Sequence, residues 1–239
     1  MEQPKQTQKP IKLKRALTVD DMLNAKFETW PISAQWRRCI GEVATNFSMI
    51  IWGLSGKGKT RFFLSLCKEL SNHGLILIDC MEEGKSRTLQ VAYQEMGMKD
   101  IAGKLILADR EPYEYLVHRL KRKKSPKIVI INSVQHMRLT YEQWKELRAM
   151  FRKKCFILIS HADGATPSGA AAKEIRYDVD IKVHVENYVA YPVSRYGGNT
   201  PYVIWPDKAV IKPEHKQLLQ AQAKTGEQLP LLNNETNPV

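Results

Sequence analysis

Residues Gly53-Leu54-Ser55-Gly56-Lys57-Gly58-Lys59-Thr60 constrain this chain more than any other stretch. They fit G-x-x-x-x-G-K-[ST], the pattern of a phosphate-binding loop. Phe47 to Trp52 before them is a mostly apolar run of strand length, and Arg61 to Leu70 after them carries apolar residues at helical spacing. Strand, glycine loop and helix in that order is the context the pattern needs. Glycines let backbone N–H groups turn inward around phosphate oxygens, and a helix N-terminus adds partial positive charge. Gly53, Ser55, Gly56, Lys57, Gly58 and Arg61 are therefore expected at the phosphates, with the Lys59 ammonium on the β- and γ-phosphates and the Thr60 hydroxyl on Mg²⁺.

The rest of the chain alternates strand and helix. Strands are expected at 75–80, 104–108, 127–133 and 155–161, with helices at 86–96, 113–124 and 141–152. The strand runs are short and continuously apolar, as in a parallel sheet covered on both faces. After residue 161 the pattern changes. Ala162 to Ala172 reads as a loop, and Val179 to Val185 as a half-exposed strand. Strand-like pieces at 188–195 and 201–205 flank a turn at Tyr196-Gly197-Gly198-Asn199, so the end of the domain is expected to be antiparallel. Residues 18–211 form the domain, with a capped helix at Thr18 to Leu23. Residues 1–17 read as a basic flexible arm, and 212–239 as a polar tail with a short helix near 215–224 and a disordered remainder.

The 239 residues suffice for one α/β domain with a real core. A formal net charge of +12 favours a polyanionic partner, nucleic acid before anionic membrane, with plain solubility as the alternative. Lys121-Arg122-Lys123-Lys124 is either a DNA-facing patch or a solvated helix end. Cys39, Cys67, Cys80 and Cys155 lack metal-ligand spacing and read as buried free thiols of a cytoplasmic protein. No apolar run reaches membrane-spanning length.

Polar residues stand where an open α/β sheet places its ligands, at the strands' carboxyl ends: Thr60, Glu82 and Glu83, Asn132, and His161. Hydrolysis of a nucleoside triphosphate needs a metal-binding side chain, a carboxylate for water and a group near the γ-phosphate. Each residue also has a plainer reading. The two glutamates suit a helix N-terminus, Asn132 suits a turn cap, His161 suits a packed histidine, and Arg195 suits a solvated hairpin.

Across 40–206 the sequence resembles the RecA-like P-loop ATPases, closest to the RadA/Sms and DnaB branch. Leu77 to Glu83 looks like that branch's strand ending in paired glutamates, Ile130 to Gln135 like its Walker B strand, Ile159 to Gly164 like its G-H-V-T-K-x-G strand, and Val193 to Gly197 like K-N-R-F-G. The resemblance implies a mostly parallel twisted sheet flanked by helices, and ATP·Mg²⁺ bound between subunits of a hexameric ring or filament. It implies Glu82 as catalytic base beside Glu83, Asn132 near the metal, and Arg195 reaching a neighbour's γ-phosphate. It further implies DNA, single-stranded, as partner, in recombination or replication alongside other proteins of those processes, in a phage or mobile element. Three departures stand out. Asn132 replaces an Asp, Val193 replaces the finger lysine, and Ala162-Asp163 replaces Thr-Lys. They leave open a nucleotide switch with slow hydrolysis, or a regulatory ATPase with a protein partner.

Overall fold

A computed structural model describes residues 15–223. Two short helices, α1 (Val19–Leu23) and α2 (Ala34–Ile40), precede β1 (Ser48–Gly53), and α3 (Lys59–Leu70) follows it. Next come β2 (Ile76–Cys80), α4 (Arg87–Glu95), a 3-10 segment at Met98–Lys104, β3 (Leu105–Ala108) and α5 (Tyr113–Leu120). Strand β4 (Ile128–Asn132) leads through a one-turn α6 (Val134–Met137) to α7 (Tyr141–Met150) and β5 (Cys155–Asp163). The chain closes with β6 (Thr166–Pro167), α8 (Ala170–Asp178), β7 (Ile181–Glu186), β8 (Val189–Ser194), β9 (Tyr202–Val203) and α9 (Pro213–Ala223).

The strands form one sheet in the order β3-β2-β4-β5-β1-β7-β8-β9, with β6 paired to β5. Neighbours from β3 to β7 run parallel, whereas β8 and β9 are antiparallel. Side-chain alternation divides the core between the two faces. Met49 and Ile51 of β1 pack with Phe62, Leu66 and Leu70 of α3 on one side. Ile50 and Trp52 pack with Leu116, Trp144 and Ile175 of α5, α7 and α8 on the other. Because both faces are covered, β1, β2 and β4 are buried at every position. This is why their sequences read as unbroken apolar runs rather than as alternations.

Two sequence expectations change. Ala162 to Ala172 is not one loop. Strand β5 continues to Asp163, and α8 begins at Ala170. The run Ala170-Ala171-Ala172-Lys173-Glu174 is made of good helix formers, and burial of Ala172 and Ile175 holds the helix on the sheet. The tight hairpin also lies elsewhere. Asn187 and Tyr188, both at positive φ, form the two-residue turn between β7 and β8. Residues 196–200 instead return to α2, where the N–H groups of Asn199 and Thr200 donate to the Cys39 and Arg38 carbonyls at 3.0 Å each.

Ahead of the domain, Arg15 to Leu17 are exposed, and the remainder of the arm lies outside the described residues. Helix α9 starts at Pro213, Leu219 on it is buried, and Lys212 pairs with Glu186 at 2.9 Å. The rest of the tail also lies outside the described residues. All four cysteines are buried free thiols. Among the described residues no helix is long and apolar enough to cross a membrane.

Asp79 is a buried carboxylate inside β2. Its Oδ1 accepts from the Glu111 N–H at 3.1 Å, and its Oδ2 is buried without a hydrogen-bond partner. Burial, with the nearby Glu111 and Asp109 charges, outweighs that hydrogen bond and Arg119 and pushes its pKa up to about 7. The unfolded chain releases this proton near pH 4. Between those values the folded state binds the extra proton, so Asp79 makes stability fall as pH rises from about 4 through 7. Asp79→Asn mimics the protonated acid. Its melting temperature relative to the parent should therefore climb between pH 5 and pH 8. A difference that stays constant with pH would show that Asp79 does not titrate in this range.

Candidate functional site

The sheet order brings the carboxyl ends of β2, β4, β5 and β1 side by side. Cys80 is opposite Asn132, Asn132 opposite Ile159, and His161 opposite Gly53. The glycine loop leaves β1 at this edge. Gly53 lies so close to β7 that a Cβ there would stand 2.2 Å from the Val185 carbonyl oxygen. Gly58, at φ 105°, is the last residue before α3, a conformation that disfavours side chains. Leu54, Ser55 and Gly56 are exposed at the crown of the loop.

The Lys59 ammonium folds back over this loop, donating to the Gly53 carbonyl at 2.8 Å and the Leu54 carbonyl at 3.0 Å. Burial lowers its pKa, while the Glu82 charge opposes that shift. Thr60 follows in the first turn of α3. Lys57 donates to the Asn187 side-chain oxygen at 3.2 Å, and its carbonyl accepts from the Tyr188 N–H at 3.1 Å. The loop is thus anchored to the β7–β8 turn.

Glu82 and Glu83 part company in the turn after β2. Glu83 accepts from the Thr88 hydroxyl at 2.9 Å and the Ser86 hydroxyl at 3.4 Å, which binds it to the start of α4. Glu82 faces the other way. Its Oε2 is 3.0 Å from His161 Nε2 and 4.0 Å from His136 Nδ1. The Glu82 N–H donates to the Asn132 carbonyl at 3.0 Å, which fixes the turn against β4. Gln135 fastens the next strand end. Its amide nitrogen donates to Ser160 Oγ at 2.8 Å and the Ser168 carbonyl at 2.7 Å, and its oxygen accepts from the His161 N–H at 3.2 Å.

Asn132 is 5% exposed at the end of β4. Two strand spacings, roughly 10 Å, separate β4 from β1, and no hydrogen bond joins Asn132 to Thr60. The fold brings Glu82, His161 and the Lys59 loop together at one edge. It keeps Arg195 away from that edge. Strand β8 runs back toward the start of β7, so Ser194 lies opposite Ile181 and Arg195 falls at the amino-terminal edge of the sheet. There it pairs with Asp180 at 3.6 Å and donates to the Tyr177 carbonyl at 3.3 Å. Arg61 is engaged too, by Glu95 and by the Trp205 ring 3.9 Å beneath its guanidinium.

Three groups beside the loop escaped the sequence reading as site residues. His136 sits on α6, a single turn with no periodicity to announce it. Tyr188 and Ile204 come within 3.2 and 3.3 Å of a Cβ built on Gly58. Trp205 lies between Arg61 and Lys208, whose ammonium is 3.8 Å from the ring centroid. The signal available was an aromatic next to Pro206 after the last strand, which is too common to single out.

Asp180 is a fastening point at the opposite edge. Its Oδ2 accepts from the Ser48 N–H at 2.8 Å and the Ser48 hydroxyl at 2.7 Å, and Arg148 is 3.7 Å away. Asp180→Ala should cost about 2 kcal/mol, since it removes charge-assisted bonds at a part-buried place. Arg195→Ala should cost less than about 1 kcal/mol, because an exposed pair is worth little. Urea unfolding of both variants checks the order, and equal losses would deny Asp180 its role at Ser48.

No protein-family model matches this sequence, and a search of curated proteins finds no match for it.

Proposed function

We propose that this protein binds ATP·Mg²⁺ at the Gly53–Thr60 loop and hydrolyses it, as a RecA-like ATPase core that acts on DNA. The observation that carries the reading is the Lys59 ammonium, held over the loop within the electrostatic reach of the Glu82 carboxylate. The residues fit the ligand. The first N–H groups of α3 lack helical acceptors, the loop crown is exposed, and Lys59 bonds only to carbonyls that phosphate oxygens can replace.

In this reading Lys59 and the loop N–H groups hold the β- and γ-phosphates, and the Thr60 hydroxyl ligates Mg²⁺. The metal supplies charge neutralisation at the transferred phosphoryl group. Glu82 takes the proton of the attacking water, with His161 holding its Oε2 in place. Glu83 is the less favoured base, because its Oε2 accepts from Ser86 and Thr88. Tyr188 and Ile204 provide an apolar and aromatic wall beside Gly58, suited to the flat face of a base. Arg195 belongs to the edge opposite its own loop, so any action on a γ-phosphate is on a second copy in a ring or filament.

A second reading is a nucleotide switch with slow turnover, working with a protein partner. Asn132 favours it, because an amide at the end of β4 brings no negative charge to Mg²⁺.

Lys59→Ala should abolish ATP binding measured by calorimetry, because the ammonium on the phosphates is lost. Glu82→Gln should keep ATP binding and lose hydrolysis by about 100-fold or more, the usual scale for a general base. Parent-like binding in the first variant would sink the phosphate-loop reading. Parent-like turnover in the second would remove Glu82 as base, and loss in Glu83→Gln instead would shift the assignment by one residue.

The net charge of +12 supports DNA as the polyanion. Affinity for single-stranded DNA, with an ATP analogue present, should fall steeply with rising salt as lysine and arginine contacts release counterions. Absence of binding at low salt to either single or double strands would point to a protein partner instead.

A further inference from the structure

From the convergence of Glu82, His136 and His161 we infer a binding site for a zinc-class divalent ion, separate from any Mg²⁺ carried in with a nucleotide. One carboxylate oxygen and one nitrogen of each ring lie within 4.8 Å of one another. Both rings approach the same atom, Glu82 Oε2, at 3.0 Å from His161 Nε2 and 4.0 Å from His136 Nδ1. Around a tetrahedral zinc, with bonds of about 2.0–2.1 Å, ligand atoms stand roughly 3.3 Å apart. The separation between Glu82 and His161 is already close to this, and the two that involve His136 close by rotation of its ring, which is 42% exposed. The rings meet edge to face with centroids 5.4 Å apart, so both can present nitrogens to a common point.

Each ligand comes from a different strand end and is fastened from behind. Glu82 is tied through its N–H to Asn132, and His161 through its N–H to Gln135. His136 follows Ser133, the cap of α6. The Ser133 hydroxyl is 3.0 Å from His136 Nδ1, and coordination must displace that contact. The neighbouring Lys59 charge also opposes a cation, but its ammonium is held by the Gly53 and Leu54 carbonyls. Two imidazoles and one carboxylate suit zinc and its first-row neighbours, whereas Mg²⁺ prefers oxygen ligands and keeps its waters. Three protein ligands leave a fourth position for water or an anion. An ion there would occupy the Glu82 oxygen that hydrolysis requires, so the two uses of Glu82 exclude one another. The site itself does not rest on the ATPase reading, because its test contains no nucleotide.

The experiment is a calorimetric titration of the full chain, dialysed against EDTA, with zinc chloride. The expected result is one ion per chain with a dissociation constant on the order of micromolar or below, unchanged by millimolar Mg²⁺. His136→Ala and His161→Ala should each weaken it by about tenfold or more, with unchanged circular dichroism, while His118→Ala on α5 leaves it alone. X-ray absorption of the zinc-bound parent needs no variant and should show nitrogen and oxygen neighbours only. Failure to saturate at one ion, parent-like affinity in either site-histidine variant, or a sulfur shell from the cysteines would overturn the proposal.

Discussion

The hydrogen bonding of β5 between β1 and β4 is the constraint on which the site depends. A glycine loop at the end of a strand is only a bent backbone until neighbouring strand ends supply side chains. With β5 inserted, His161 stands opposite Gly53, and Asn132 is set one strand further away. Glu82, in the turn after β2, then reaches across the end of β4 to the end of β5. The sheet must be parallel here, since only then do all four ends point the same way and form one crevice. Helices on both faces follow from this, because a parallel crossover has to pass over a face, and so do the unbroken apolar strands.

That logic explains what the sequence disclosed. Every strand from β1 to β5 was legible as an apolar run. In β1, β2 and β4 full burial leaves stretches such as Ile128 to Ile131 with no polar interruption, whereas β3 at the sheet edge is only partly buried yet still apolar. The loop was legible because its glycines and its Gly-Lys-Thr ending fit a short pattern between a strand and a helix. Helix α8 was not, because its first residues are small and follow Gly164, Pro167 and Gly169, which mimic a loop until Ile175 is seen buried. The β7–β8 turn was missed because Asn187-Tyr188 is less emphatic than Gly197-Gly198. Yet Gly198 serves a close approach to α2, where a Cβ would lie 2.7 Å from the Arg38 carbonyl oxygen. Glu82 and His161 could be named from strand-end position alone. Their contact with His136 could not, because it depends on a single turn of helix and on three separate crossovers.

The two edges of the sheet have different chemistry. At the carboxyl edge, Lys59, Glu82 and the histidines remain partly open, and their bonds are few and exchangeable. At the amino edge, Asp180 gathers Ser48, Arg148 and Arg195, fixing the starts of β1 and β7 and the end of β8. Rigidity at one edge thus supports adaptability at the other. The same arrangement means that Arg195 acts as a structural partner of Asp180 within its own chain. Because its side chain is 58% exposed, it can leave that pair at small cost.

The bonds of Lys59 and Glu82 set the terms on which any ligand enters. An anion placed at the loop would compete with the Gly53 and Leu54 carbonyls for the ammonium, and charge-assisted bonds to phosphate exceed those to neutral carbonyls. As Lys59 turns toward such an anion, its attraction to Glu82 is shared with a new negative charge. The Glu82 carboxylate then depends more heavily on His161, whose Nε2 is 3.0 Å from its Oε2. The histidine at the end of β5 therefore links the turn after β2 to the strand beside the loop, through one contact that follows from the strand order.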